Sequence, residues 1–132
     1  TRFSIVLHPL DRKAVLTART IARQLGKLPQ ALRKTISFDN GTEFAEHHRL
    51  HNALGVQTFF CDPHSPWQKG GVENSIGRLR RSLPRKTDLK AITAAALKRL
   101  AQRLNDTPRK CLDFKTPAEA FSKLKSIVAL QT

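Results

Sequence analysis

The chain has 132 residues, enough for one domain or part of a larger one. Its 24 lysines and arginines against 10 acids give a formal charge of +14, above the range of an ordinary small soluble domain, and this points to a polyanionic partner, usually nucleic acid. No run approaches the ~20 apolar residues that span a bilayer, no signal peptide is visible, and the two cysteines, Cys61 and Cys111, are too few for a disulfide framework; these features speak against a membrane partner and a stapled secreted scaffold, and for a reducing compartment.

Phe3-Ser4-Ile5-Val6-Leu7-His8 is a short apolar run closed by Pro9 and reads as a buried strand. Asp11 suits the N-cap of a helix with Val15, Ala18, Ala22 and Leu25 on one face, ended by Gly26 and Pro29. Thr35-Ile36-Ser37-Phe38 is a second strand that stops at Asp39. Asn40 is placed to cap the next helix, with Glu43 three residues on as in a capping box, and that helix runs through Phe44, His48 and His51 to Leu54. Val56 to Phe60 is a third strand, and Cys61 to Gly71, with two prolines and two adjacent glycines, is a loop.

Val72, Ile76, Leu79 and Leu83 then fall on one helix face, stopped by Pro84. A helix from about Leu89 to Asn105 carries Thr93, Leu97, Leu100 and Leu104 on a stripe. Thr116-Pro117-Ala118-Glu119 is a helix start, with a short helix through Phe121 and Leu124 after it. The charge is uneven: residues 69–110 hold 12 basic side chains against Glu73, Asp88 and Asp106, a net +9.

Alternating strands and helices are the order of an α/β sheet, whose sites gather at strand ends and the loops beyond them. Asp39 ends one predicted strand, and Glu73 sits in the first turn of a helix that follows a loop. Two carboxylates so placed suit a hard divalent cation such as magnesium, which takes one or two carboxylates plus phosphate oxygens. A pair alone is a weak signal. Asp39 is otherwise an ordinary turn residue, and Glu73 otherwise an acid that favours a helix N-terminus.

The surrounding residues are more specific. Phe38-Asp39-Asn40-Gly41-Thr42-Glu43-Phe44, then the run from Phe60 through Pro63-His64-Ser65-Pro66-Trp67-Gln68-Lys69-Gly70-Gly71-Val72-Glu73-Asn74, then Arg78-Leu79-Arg80-Arg81, resemble the DDE transposases and integrases. The match is most similar to bacterial insertion-sequence transposases of the IS-thirty family. It extends through Leu83-Pro84-Arg85-Lys86-Thr87-Asp88-Leu89 and Asn105-Asp106-Thr107-Pro108-Arg109-Lys110 to Thr116-Pro117-Ala118-Glu119, nearly the whole chain.

The resemblance implies a ribonuclease H-like α/β core (residues 1–86) with a helical C-terminal extension (87–132). It implies three acids holding two Mg2+ or Mn2+ ions, and cleavage and strand transfer of DNA in a cytoplasmic, nucleoid-associated setting, as a homo-oligomer when intact. By position Asp39 matches the second acid and Glu73 the third, and Arg80, seven residues after Glu73, matches a DNA-contacting position. The first acid has no match: only one strand precedes the helix near Asp11, and Asp11 reads as its cap. The start at Thr1 and the lost first strands suggest a truncated core with unpaired sheet edges. The alternative is a DNA-binding remnant without catalysis.

Arg78, Arg80, Arg81, Arg85 and Lys86 form a basic cluster on and after the helix of Glu73, suited to DNA phosphates, although a charge run is usually a solvated face. Lys69, His64 and Trp67 in the loop before it join the DNA-binding candidates. Trp67 could stack on a displaced base, with an anchor in the core the slightly favoured reading. Cys61 and His64, near His47, His48 and His51, have a spacing zinc could use but no second pair to match it. Cys111 reads as a small buried residue.

Overall fold

A parallel strand pair needs a crossover between its strands, and the sequence supplies one. In the computed structural model, which describes residues 1–7 and 13–131 apart from the side chains of Pro66 and Lys69, strands β1 (Thr35–Phe38) and β2 (Gln57–Phe60) pair in parallel, from Thr35 opposite Gln57 to Phe38 opposite Phe60. The chain is mixed α/β, and it divides into two compact units: a sheet unit, Pro9–Lys69, and a helical unit made of Thr1–His8 and Gly70–Thr132. The expected boundary at 86/87 falls inside the helical unit.

In the sheet unit, α1 (Ala14–Leu25) packs against α2 (His48–Leu54), and both cover the sheet pair. Ala18, Phe38, Leu50 and Val56 are its buried centre, with Ile21, Ala22, Ile36, Phe44 and Leu54 around them. The Phe38 ring stacks on Phe44 at 4.6 Å and lies 5.7 Å from Phe60. Gly55 ends α2 at φ 69°, a left-handed cap position where a side chain would be strained, and its N–H donates to His51 O. Arg33 fastens the unit from below: Nε donates to Leu28 O at 3.0 Å and Nη1 to Leu54 O at 2.6 Å.

The predicted cap Asp11 lies outside the described residues. The helix predicted from Asn40 starts only at His48, and its capping box does not form. Asn40 instead donates through Nδ2 to Cys61 O at 3.1 Å, tying the two strand ends together, and Thr42–Phe44 makes a 3-10 turn.

The helical unit contains α3 (Gly70–Ser82), α4 (Ala94–Asn105) and α5 (Pro117–Gln131), with α3 packed on α4 and α4 on α5. The helix predicted from Leu89 is broken in two. Asp88 caps a 3-10 turn, Leu89–Ala91, and Thr93 accepts from Ala96 N–H at 3.1 Å as the N-cap of α4 rather than joining its apolar stripe. Thr116 caps α5 as predicted, accepting from Glu119 N–H at 3.1 Å. That helix runs 15 residues, longer than expected.

The strand predicted at residues 3–8 is not formed over its described part, residues 3–7. A strand exists only through a partner's ladder, and here the partner is a side chain. Asn105 Oδ1 accepts from Ser4 N–H at 2.8 Å, and its Nδ2 donates to Ser4 O at 2.8 Å, so one amide at the end of α4 copies a single rung of a sheet. Phe3 adds a ring stacked on Phe121 at 4.5 Å. Asn105 is buried, so removing its amide strands both groups of Ser4. Asn105→Ala is expected to cost about 2 kcal/mol, read as a lower urea midpoint, whereas Asn52→Ala, at an exposed position of α2, is expected to stay within about 0.5 kcal/mol.

Candidate nucleic-acid interface

Charge separates the two units. Residues 1–8 and 70–132 carry 15 basic and 5 acidic side chains, net +10, while residues 9–69 carry 9 and 5, net +4. The excess positive charge therefore belongs mainly to the helical unit, where α3 presents its arginines. Arg80 and Arg81 are exposed on the last turn of α3, and Arg85 and Lys86 are exposed in the segment after it. Arg80 lies two turns beyond Glu73 on the same face, and its Nη1 reaches Leu83 O at 3.5 Å. Arg78 points elsewhere: it is half-buried and lines a cavity with Arg2 and Arg109.

Glu73 is exposed in the first turn of α3, in the helical unit. Asp39 is exposed just past the carboxyl end of β1, in the sheet unit, with Oδ1 accepting from Gly41 N–H at 3.1 Å. Each is a hard oxygen donor open to solvent, the chemistry magnesium or manganese prefers. Among the described residues no group of three or more His, Cys, Asp and Glu converges as a metal cage. A magnesium site of the kind that draws its remaining oxygens from phosphate and water does not require one.

The loop before α3 is closed by a reciprocal pair: Asp62 N–H donates to Gln68 Oε1 at 2.8 Å, and Gln68 Nε2 donates to Asp62 Oδ2 at 2.9 Å. His64 takes a left-handed φ of 57° within that loop and is exposed. Trp67 is 76 % exposed, which overturns its reading as a core anchor: the polar pair holds the loop, and the indole faces solvent. Lys69 ends a 3-10 turn, Pro66–Lys69, and its side chain lies outside the described set. The histidines near Cys61 are engaged locally. His47 Nδ1 shares a hydrogen bond with Thr58 Oγ1 at 2.8 Å, His51 Nδ1 meets Val56 O at 3.0 Å, and His48 pairs with Glu46.

Arg109, part of the Asn105–Lys110 motif, was not among the expected site residues. It is 9 % exposed, with Nη2 donating to Leu104 O at 3.1 Å and with Nε and Nη1 buried without a hydrogen-bond partner. Burial, and then the positive charge of Arg78, lower its pKa from the usual arginine value. Its signal in the sequence was faint, one basic residue among twelve between 69 and 110. Cys111, expected to be buried, is exposed on the 3-10 turn Lys110–Leu112 beside the same cavity.

No protein-family profile matches the chain. Curated relatives do. The transposase for insertion sequence element IS1086 of Cupriavidus metallidurans is 43% identical over 124 residues, 94% of this chain and 37% of that protein. The transposase InsI for insertion sequence element IS30C of Escherichia coli is 38% identical over 123 residues, 93% of this chain and 32% of that protein. The transposase for insertion sequence element IS4351 of Bacteroides fragilis is 33% identical over 113 residues, 86% of this chain and 34% of that protein. The chain spans about a third of the length of these relatives. On this similarity the chain belongs to the family of IS30-type insertion-sequence transposases.

Proposed function

We propose that this chain is the part of a DDE transposase core that grips DNA and supplies two of its three metal-binding acids. The observation that carries the reading is the position of Asp39: an exposed carboxylate just beyond the carboxyl end of a parallel strand, the end at which α/β sheets build their sites. A ribonuclease H-like core is the finer fold assignment, supported by the parallel β1–β2 pair with its helical crossover.

In this reading Asp39 and Glu73 offer carboxylate oxygens to magnesium or manganese, with phosphate oxygens of DNA completing the shell. Ions held there would supply charge stabilisation at the scissile phosphate and activation of the attacking hydroxyl. Arg80 neutralises a phosphate on the Glu73 face of α3. Arg81, Arg85 and Lys86 extend the grip along the backbone. Such contacts orient the duplex and carry no sequence information. DNA is the partner, and the +10 of the helical unit is what draws it in.

Two outcomes test the reading. Titrating Mn2+ into the chain with duplex DNA is expected to broaden the NMR amide signals flanking Asp39 and Glu73; Asp39→Asn and Glu73→Gln should each abolish the effect at their own position. DNA binding without any such broadening would favour the non-catalytic alternative. The triple variant Arg80→Ala, Arg81→Ala, Arg85→Ala is expected to lower the slope of log K against log salt by up to about 3. An unchanged slope removes these arginines from the interface.

A further inference from the structure

The cavity beside α3 has an electrostatic problem built into it. Arg2, Arg78 and Arg109 all line it, together with Asn74 and Ser75, and no carboxylate is among its described lining residues. Three guanidinium groups gathered with no carboxylate among the described lining residues repel one another. Arg109 bears the largest part of that cost, because it is nine-tenths buried and two of its nitrogens have no partner. Its single bond to Leu104 O accounts for a helix-capping role and leaves the remaining donors unexplained.

The surroundings are shaped for these side chains. Asn74 and Arg78 are four residues apart on one face of α3 and so adjacent in space. Gly71 lies on that face too, and a Cβ there would come within 2.8 Å of Arg2 Nη1, so the bare glycine is where the Arg2 head crosses the helix. The cavity measures about 160 Å³, roughly five water volumes at ~30 Å³ each, which accommodates a five-atom tetrahedral oxyanion.

We propose that Arg2, Asn74, Arg78 and Arg109 form a phosphate seat, distinct from the exposed arginine row, and that it holds one backbone phosphate of bound DNA. The occupant's identity rests on the DNA-binding reading above; the seat itself rests on the unpartnered guanidinium. Guanidinium donors matched to phosphate oxygens give short charge-assisted bonds. A phosphate there would set a counter-charge against the Arg109 guanidinium and relieve the repulsion between Arg109 and Arg78 in one step. It would also fix the register of DNA along α3, which loosely held surface arginines do not.

The test uses the 132-residue chain, Arg78→Gln, Arg109→Lys as a second variant that keeps the charge and loses the fork, and Lys123→Gln as a charge-matched control on α5. Inorganic phosphate is expected to raise the thermal midpoint of the unaltered chain and of Lys123→Gln above that in chloride of equal ionic strength. This phosphate-specific rise should be absent in Arg78→Gln and reduced in Arg109→Lys. With duplex DNA, Arg78→Gln should lower the salt slope by about 1, and Lys123→Gln should leave it unchanged. Absence of any phosphate-specific rise in the unaltered chain overturns the seat. A phosphate rise with an unchanged DNA slope in Arg78→Gln assigns the seat to free phosphate and overturns the DNA occupant. Failure of the DNA-binding reading would be visible in the unaltered chain itself, as no salt-sensitive binding, and is thereby told apart from failure of the seat. If Arg109→Lys does not fold, Arg78→Gln alone decides.

Discussion

Too few carboxylates for too many cations is the constraint under which the whole chain is assembled. Ten acids face 24 lysines and arginines, so 14 of these cations are in excess of the carboxylates. Several turn to helix ends instead. Arg33 bonds the carbonyl of Leu54, the last residue of α2; Arg109 bonds Leu104, next to last in α4; Arg80 reaches Leu83, just past α3. Carbonyls in the last turn lack intrahelical donors and lie at the negative end of the helix dipole. One side chain thus satisfies an orphan acceptor and finds a partial counter-charge. The arrangement leaves guanidinium donors over, and these are what the chain can direct at a polyanion.

Local chemistry was legible where local forces decide. Thr35–Phe38 and Gln57–Phe60 are β-prone runs bounded by turn residues, and both form strands close to their expected limits. The helix through Ile76 and Leu79, and the cap at Thr116, needed only periodicity and one hydroxyl. Long-range competition decided the failures. Asn40 is a good cap in isolation, but Cys61 O, 21 residues away, holds its amide. Phe3 to Leu7 has the composition of a strand, but pairing is not a property of composition, and Asn105 took the place of a neighbour. Thr93 matched the stripe of α4 by spacing and serves as its cap because Asp88 had already started and ended a shorter turn.

The site divides in the same way. The positions of Asp39, Glu73 and the exposed arginines of α3 were readable because a strand end, a first helical turn and a polar helix face are sequence-local features. Trp67 and Cys111 were misread because burial depends on what the rest of the chain brings alongside. Arg109 was invisible for the converse reason. Nothing in Pro108-Arg109-Lys110 announces that one of two adjacent cations is enclosed while the other stays exposed. Residues that grip a surface polyanion can be found by counting charge, whereas residues that make a shaped recess are found only once the recess exists.

The bond between Asn105 and Ser4 spans 101 positions of sequence. It closes a loop that contains the entire sheet unit, so the helical unit is discontinuous and the sheet unit is an insertion within it. As the chain emerges from a ribosome, the unit Pro9–Lys69 can settle early, because it is compact in itself and continuous in sequence. Phe3 and Ser4 lie upstream of the helices that receive them, so they must wait until α4 and α5 have been made. An apolar stretch made before the helices that receive it, and held open for that interval, is where a chaperone would have the most to shield.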